Sequence, residues 1–291
     1  MAILKVKNLY KVYQNAKYIS ARDISFEVKE GEIFGFLGVN GAGKSTTIKC
    51  ITGIIPFNSG TIEICGHDIK KNPFEAKANF GFVPDNHAVY DKLTGSEYIS
   101  YVASIYKMDK ADYKERFDYL VKRFNLVNAI NNQIMSYSHG MKQRISIISA
   151  LIYKPKLWIL DEPMVGLDPQ SILDVKNYMR EYAKNGDSVI FSSHNLDTVE
   201  KLCDRALIIH GGTVIALIDL KEYREKGLDL EAEFMRLTKE AGEKFDTIRA
   251  DLLKEEEGLA KAVGKRKASK AMQRKIQKEV AQEIAMQEEG V

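Results

Sequence analysis

The sequence predicts an α/β protein with a largely parallel sheet. Short β-rich runs alternate with segments of helical period, and a glycine-rich turn joins one of those runs to a helical pattern. The strand candidates are residues 24–28 (ISFEV), 32–37 (EIFGFL), 61–65 (TIEIC), 80–84, 156–161, 188–192 (SVIFS) and 205–210 (RALIIH). Most are dominated by Ile, Val, Leu and Phe, which suit a buried pleated surface. The stretch HGGT at 210–213, between two β runs, is a hairpin signal. Residues from about 88 to 135 are aromatic-rich, helical in period and without a good strand, so an inserted helical subdomain is expected there. From about 219 the chain is helical and charged, and after 239 aromatics almost vanish.

Composition narrows the class. With 291 residues, 45% hydrophobic and 29% charged, the chain has enough apolar material for a sizeable core. A net charge of +3 is too slight to point to nucleic acid or a membrane by itself. Cys50, Cys65 and Cys203 are widely spaced, which favours reduced thiols in a cytosolic protein over a disulfide framework or zinc site. No apolar h-region opens the chain, and no run of 18 apolar residues occurs, so neither a signal peptide nor a bilayer span is expected.

Chemistry concentrates at two places. Gly38 to Ser45 (GVNGAGKS) matches G-x-x-x-x-G-K-[ST], with a predicted strand before it and the helical pattern 46–52 after it. In that setting the backbone of Asn40, Gly41, Ala42 and Gly43 wraps nucleotide phosphates. Lys44 adds a point charge, Ser45 offers a hydroxyl to Mg²⁺, and Thr46 continues into the helix. Further on, the run 156–163 (KLWILDEP) is an apolar strand ending in two acids. Asp161 at the strand tip is the candidate Mg²⁺ ligand, and Glu162 the candidate general base for an attacking water.

With these motifs in order, residues 2–238 resemble the ATPase subunit of an ATP-binding cassette (ABC) transporter. The resemblance implies a P-loop cassette with a mixed sheet, an antiparallel β subdomain and the inserted helices at about 88–135. It makes Tyr13 the aromatic that stacks on adenine, and His194 (in SSH, 192–194) the residue that contacts the γ-phosphate. The loop Gly166-Leu-Asp168-Pro169 corresponds to the family's D-loop. Asp85 stands where the family has a glutamine between Mg²⁺, the water and the membrane subunit. Residues 137–144 (YSHGMKQR) align with the signature L-S-G-G-Q-x-Q-R: Ser138 and Gly140 are kept, while His139 and Met141 depart. In the family this loop contacts ATP held by the opposite subunit.

The resemblance therefore implies ATP and Mg²⁺ as cofactors, a second copy or paralogue as partner, and membrane-spanning permease subunits. It implies a place on the cytoplasmic face of the membrane, held through that partner. The SHGM signature and the segment 83–94 resemble the bacterial branch that exports antibiotics and peptides, so export is expected; an importer ATPase and a soluble ABC-type ATPase are the alternatives. Residues 239–291 are expected to form a charged helical extension beyond the cassette. Within it, 261–278 holds eight Lys/Arg and no acid. A solvated helix is the plain reading, and contact with anionic lipid headgroups or the permease the functional one. Nucleic acid is not expected, since no aromatics interleave the cations.

Overall fold

The structure, a computed structural model, describes residues 1–13, 19–86 and 89–243. The basic segment 261–278 and the rest of the tail beyond 243 lie outside the described residues.

Two sheets form the frame. The smaller is antiparallel and contains β1 (Ala2–Lys11), β2 (Ala21–Lys29), β4 (Ser59–Ile64) and β5 (His67–Asp68), in the order β2-β1-β4-β5. The larger sheet uses β3 (Ile33–Leu37), β6 (Phe80–Val83), β7 (Leu157–Leu160), β8 (Ser188–Ser193), β9 (Arg205–His210) and β10 (Thr213–Asp219). Its order is β10-β9-β3-β8-β7-β6, parallel except for the β9–β10 hairpin. The expected mixed sheet and antiparallel subdomain are both present.

The large sheet is apolar on both faces because both are buried. In β3, Phe34 and Phe36 enter the core shared with the small sheet, whereas Ile33 and Leu37 enter the opposite one. In β7, Leu157 and Ile159 take the first side, Trp158 and Leu160 the second. This two-residue alternation, with no polar member, accounts for the unbroken apolar runs in the sequence.

Two helices, α1 (Lys44–Ile51) and α2 (Pro73–Ala78), join the core on the first face, and α3 (Gly95–Ile105), α4 (Lys110–Arg123), α5 (His139–Leu151), α6 (Pro169–Lys184), α7 (Leu196–Leu202) and α8 (Leu220–Glu225) cover the second. The inserted region supplies α3 and α4. A Thr94/Glu97 capping box starts α3 and the Asp109 side chain caps α4. Ile145, Ile148 and Leu151 of α5 enter the same core as Ile99 of α3 and Leu120 of α4, so the insert is seated on α5. A further helical stretch covers 230–243, with Leu230 buried and Phe234 and Leu237 packed on the core at i, i+4 and i+7. The boundary expected between 238 and 239 falls inside this helix.

Two details depart from the sequence reading. Residues 2–11 offer no clean strand pattern, yet β1 is a central strand of the small sheet. A register shift between Val6 and Leu9, with Asn8 at φ +47°, breaks the alternation that would have shown it. Strand β4 spans 59–64 rather than 61–65, because Cys65 leaves the strand at φ +50°.

Candidate functional site

Strand β3 delivers its C-terminal end to the loop 38–43, and α1 leaves from Lys44. Gly43 sits at φ +109°, and a Cβ there would lie 2.5 Å from the Ser20 carbonyl oxygen and 3.3 Å from Gly212 Cα. Only glycine fits. The Lys44 side chain is buried; its Nζ donates to the Gly38 carbonyl at 2.7 Å and lies 3.8 Å from Glu162 Oε1. Burial pushes the Lys44 ammonium below its ordinary pKa, with the Glu162 and Asp161 charges opposing. A desolvated cation at a helix N-terminus is an anion-seeking arrangement.

The two acids diverge. Asp161 is fully buried and its Oδ1 accepts from Ser192 Oγ at 2.6 Å and from Ser45 Oγ at 3.1 Å. Its Oδ2 is buried without a hydrogen-bond partner. Glu162 turns at φ +50°, unusual for a residue with a Cβ and worth on the order of 1 kcal/mol or more of strain. Its N–H donates to Ser192 Oγ at 2.9 Å, which ties the turn to β8. The Glu162 carboxylate then lies between Lys44 and His194, whose Nδ1 is 3.0 Å from Oε2.

The open oxygen of Asp161 beside the Ser45 hydroxyl suits a hard divalent cation. Among the described residues no group of three or more His, Cys, Asp or Glu forms a protein-only metal cage. Mg²⁺ fits such a sparse donor set, because it commonly takes one or two carboxylates and completes its shell with water and phosphate. Asp85 contributes another carboxylate to the cleft wall; its Oδ1 accepts from Asn86 N–H at 2.9 Å.

A cleft of about 740 Å³ is lined by Ile19, Ser20, residues 40–46, Asp85, Glu162, Gly211 and Gly212; Asp161 and His194 are outside this lining and connect to it through Ser45 and Glu162. Asn40, Gly41, Ala42, Gly43, Lys44, Ser45 and Thr46 thus all reach it. Tyr13 stands at its edge, half-exposed, with its hydroxyl 3.5 Å from Thr46 Oγ1 and Lys11 Nζ 4.8 Å from the ring centre. Ser20, Gly211 and Gly212 were not foreseen. The HGGT hairpin signal was visible, but not that Gly212 N–H would donate to Ala42 O at 2.8 Å and brace the phosphate loop.

Ser138, Gly140 and Asp168 form a second locus and do not line this cleft. Ser138 caps α5, its Oγ accepting from Met141 N–H at 3.3 Å. Asp168 caps α6, accepting from Ser171 N–H at 3.0 Å, and its Oδ2 is 3.0 Å from Arg144 Nη2. Hydrogen bonds from Ser171, aided by the Arg144 charge, hold the Asp168 carboxyl down to a pKa of about 2. Gln143, also unforeseen, is buried and donates through Nε2 to Pro163 O at 3.0 Å. The start of α5 is thereby tied to the loop that follows Glu162.

A family model described as ABC transporter matches residues 21–165. The linearmycin resistance ATP-binding protein LnrL of Bacillus subtilis (strain 168) is 40% identical over 215 residues, covering 74% of this chain and 68% of its own length. The ABC-type transporter ATP-binding protein EcsA of the same organism is 35% identical over 244 residues, 82% of this chain and 98% of that one. Among solved structures, an ATP-binding subunit of an ABC transporter superposes with a TM-score of 0.76 at 34% identity, covering 81% of this chain and 99% of that chain.

Proposed function

The chain belongs to the ABC transporter family as an ATP-hydrolysing, nucleotide-binding subunit, and from that premise we propose that two copies, or one copy and a paralogue, close head to tail around two ATP molecules and drive export through a separate membrane-spanning partner. The observation that carries this reading is that Lys44, Ser45 and Glu162 line one cleft with Asp161 and His194 in contact with them, although distant segments supply the five.

In this mechanism the N–H groups of 41–46 and Lys44 bind the phosphates, and Tyr13 stacks on the adenine. Ser45 and Asp161, with Asp85 nearby, would hold Mg²⁺, which when bound offsets phosphate charge. Glu162 takes the proton of the attacking water, and His194 orients that carboxylate and senses the γ-phosphate. Ser138 Oγ accepts the Met141 N–H, which leaves its own proton to donate to an anion; with the Gly140 N–H and the α5 dipole it faces the partner's ATP. Asp168, beside that locus, lines the dimer seam. Because each ATP touches both chains, it favours the closed dimer over the open one, and hydrolysis removes that preference.

Support for export comes from the resistance role in the name of LnrL and from the SHGM signature. No described helix is long and apolar enough to cross a membrane, so the translocation path is assigned to a partner. Residues 88–135 receive that partner, which holds the chain at the cytoplasmic face of the membrane; 239–291, through the basic segment 261–278, add a contact with headgroups or the permease. The decisive variant is Glu162→Gln. Size-exclusion chromatography should show an ATP-stabilised dimer with hydrolysis nearly abolished. Full ATPase activity, or a chain that stays monomeric with ATP, refutes the scheme. Co-purification of a multi-span membrane protein tests the partner, and ATP-driven uptake into inside-out vesicles tests the direction.

A further inference from the structure

His139 occupies a place where the family pattern has glycine, and the backbone there does not call for glycine: residue 139 opens α5 without a positive φ. What its side chain meets is Gly166. A Cβ built on Gly166 would lie 2.2 Å from His139 Cδ2 and 2.4 Å from Nε2, far inside contact distance. Gly166 itself stands at φ +76°, so this loop residue has both the greatest conformational freedom and a ring directly over it. Two more side chains from the first two turns of α5 hold the same loop. Gln143 donates to Pro163 O, and Arg144 reaches Asp168 Oδ2. The loop begins at Pro163, immediately after Glu162.

We infer that His139 is a positioning residue for hydrolysis: its ring, seated on Gly166, fixes the loop 163–168 and through it the direction of the Glu162 carboxylate toward Lys44 and His194. The Gln143 and Arg144 bonds pin the two ends of the loop, and the His139 ring pins its middle. Without the ring, Gly166 can take other backbone conformations while both ends stay tied. The Glu162 turn, whose carbonyl accepts the Val165 N–H at 3.3 Å, then rests on a loop free to shift. Nucleotide binding by the unpaired chain is unaffected, because His139 does not line the cleft of its own chain.

The test is a double-mutant cycle on the full-length chain, reading ATPase kcat and, separately, ATP affinity by equilibrium binding. His139→Gly should lower kcat about tenfold with ATP affinity changed by no more than about twofold, the split expected of misplacement rather than lost binding. His139→Phe keeps a planar ring over Gly166 and should retain kcat within about threefold of the parent. Gly166→Ala should cost more than about tenfold beside His139 but less than about threefold in the His139→Gly background; the backbone strain of alanine is common to both and cancels in the ratio. An equal cost in both backgrounds overturns the proposal, and so does a His139→Phe variant as slow as His139→Gly. If Gly166→Ala fails to fold, the Gly and Phe variants at 139 still decide. The inference rests on Glu162 as the base, and Glu162→Gln run in parallel separates the two failures. An active Glu162→Gln refutes the base; an additive cycle refutes the role of His139.

Discussion

Replacing Ser192 by alanine removes one oxygen that serves both acids. Ser192 is fully buried; its hydroxyl donates to Asp161 Oδ1 at 2.6 Å and accepts the Glu162 N–H at 2.9 Å. The bond to a charged carboxylate contributes about 1.5–3 kcal/mol, and a buried N–H left without a partner costs about 1–3 kcal/mol. One hydroxyl supplies both, so the terms overlap and a net loss of about 2–4 kcal/mol is expected. For a domain of this size each kcal/mol moves Tm by about 2–4 °C, which gives a fall centred near 10 °C. Differential scanning calorimetry of the full-length chain without nucleotide measures it. Ser193→Ala, whose hydroxyl accepts from Asn195 N–H at 3.0 Å and touches neither acid, is the matched control and should shift Tm by less than half as much. Because the Ser192 bond also holds the left-handed turn at Glu162, kcat should fall at least about tenfold. A Ser192→Ala chain melting within about 2 °C of the parent would refute the bridging role.

Asp161→Asn keeps the side-chain shape but weakens the bonds donated by Ser192 and Ser45 and places amide N–H groups where Oδ2 has no partner, so Tm without nucleotide should fall by about 2–4 °C while Mg²⁺-dependent hydrolysis is lost; an unchanged or higher Tm contradicts this. Asp168 titrates at about 2 in the folded chain against an ordinary 3.8. Its contribution is therefore complete above the ordinary value and lost as pH falls through about 2, so the Tm of Asp168→Asn should fall less than the parent's between about pH 5 and pH 3; equal slopes refute it. Burial pushes the Cys50 thiol up to about 11 and raises Cys203 as well, whereas Cys65 is only partly buried. In the native chain a disulfide-exchange reagent at neutral pH should label Cys65 alone, slowly, and all three in urea. Native labelling of Cys50 or Cys203 as fast as Cys65 would count against the packing described.

The parts of the fold that could be read from sequence are those where a local pattern coincides with a physical need. The runs at 32–37, 156–161 and 188–192 are apolar because both sheet faces are covered, and the glycines of 38–43 because backbone must approach backbone at Gly43. Lys44, Asp161, Glu162 and His194 stand out through the motifs that hold them. Ser192 and Gln143 do not, since a serine in a strand and a glutamine in a helix acquire meaning only from what lies across a sheet or a loop. Gly211 and Gly212 announce a turn, but their place at the cleft depends on β9 pairing with β3, a long-range fact. The ten-residue β1 was hidden by its own bulges.

That pairing also has a consequence in time. Strand β3 is complete at Leu37, but the strands on either side of it begin only at Ser188 and Arg205. At a synthesis rate of about 5–20 residues per second, the ribosome needs roughly 10–30 s more to supply them. Through that interval Phe34 and Phe36 have the antiparallel sheet and α1 to cover them but neither neighbouring strand, and the phosphate loop lacks its Gly212 brace. Until the hairpin after β9 has emerged, the phosphate loop is held by fewer bonds than in the finished cassette. The phosphate loop is thus among the first parts of the cassette to be made and among the last to reach its final bracing.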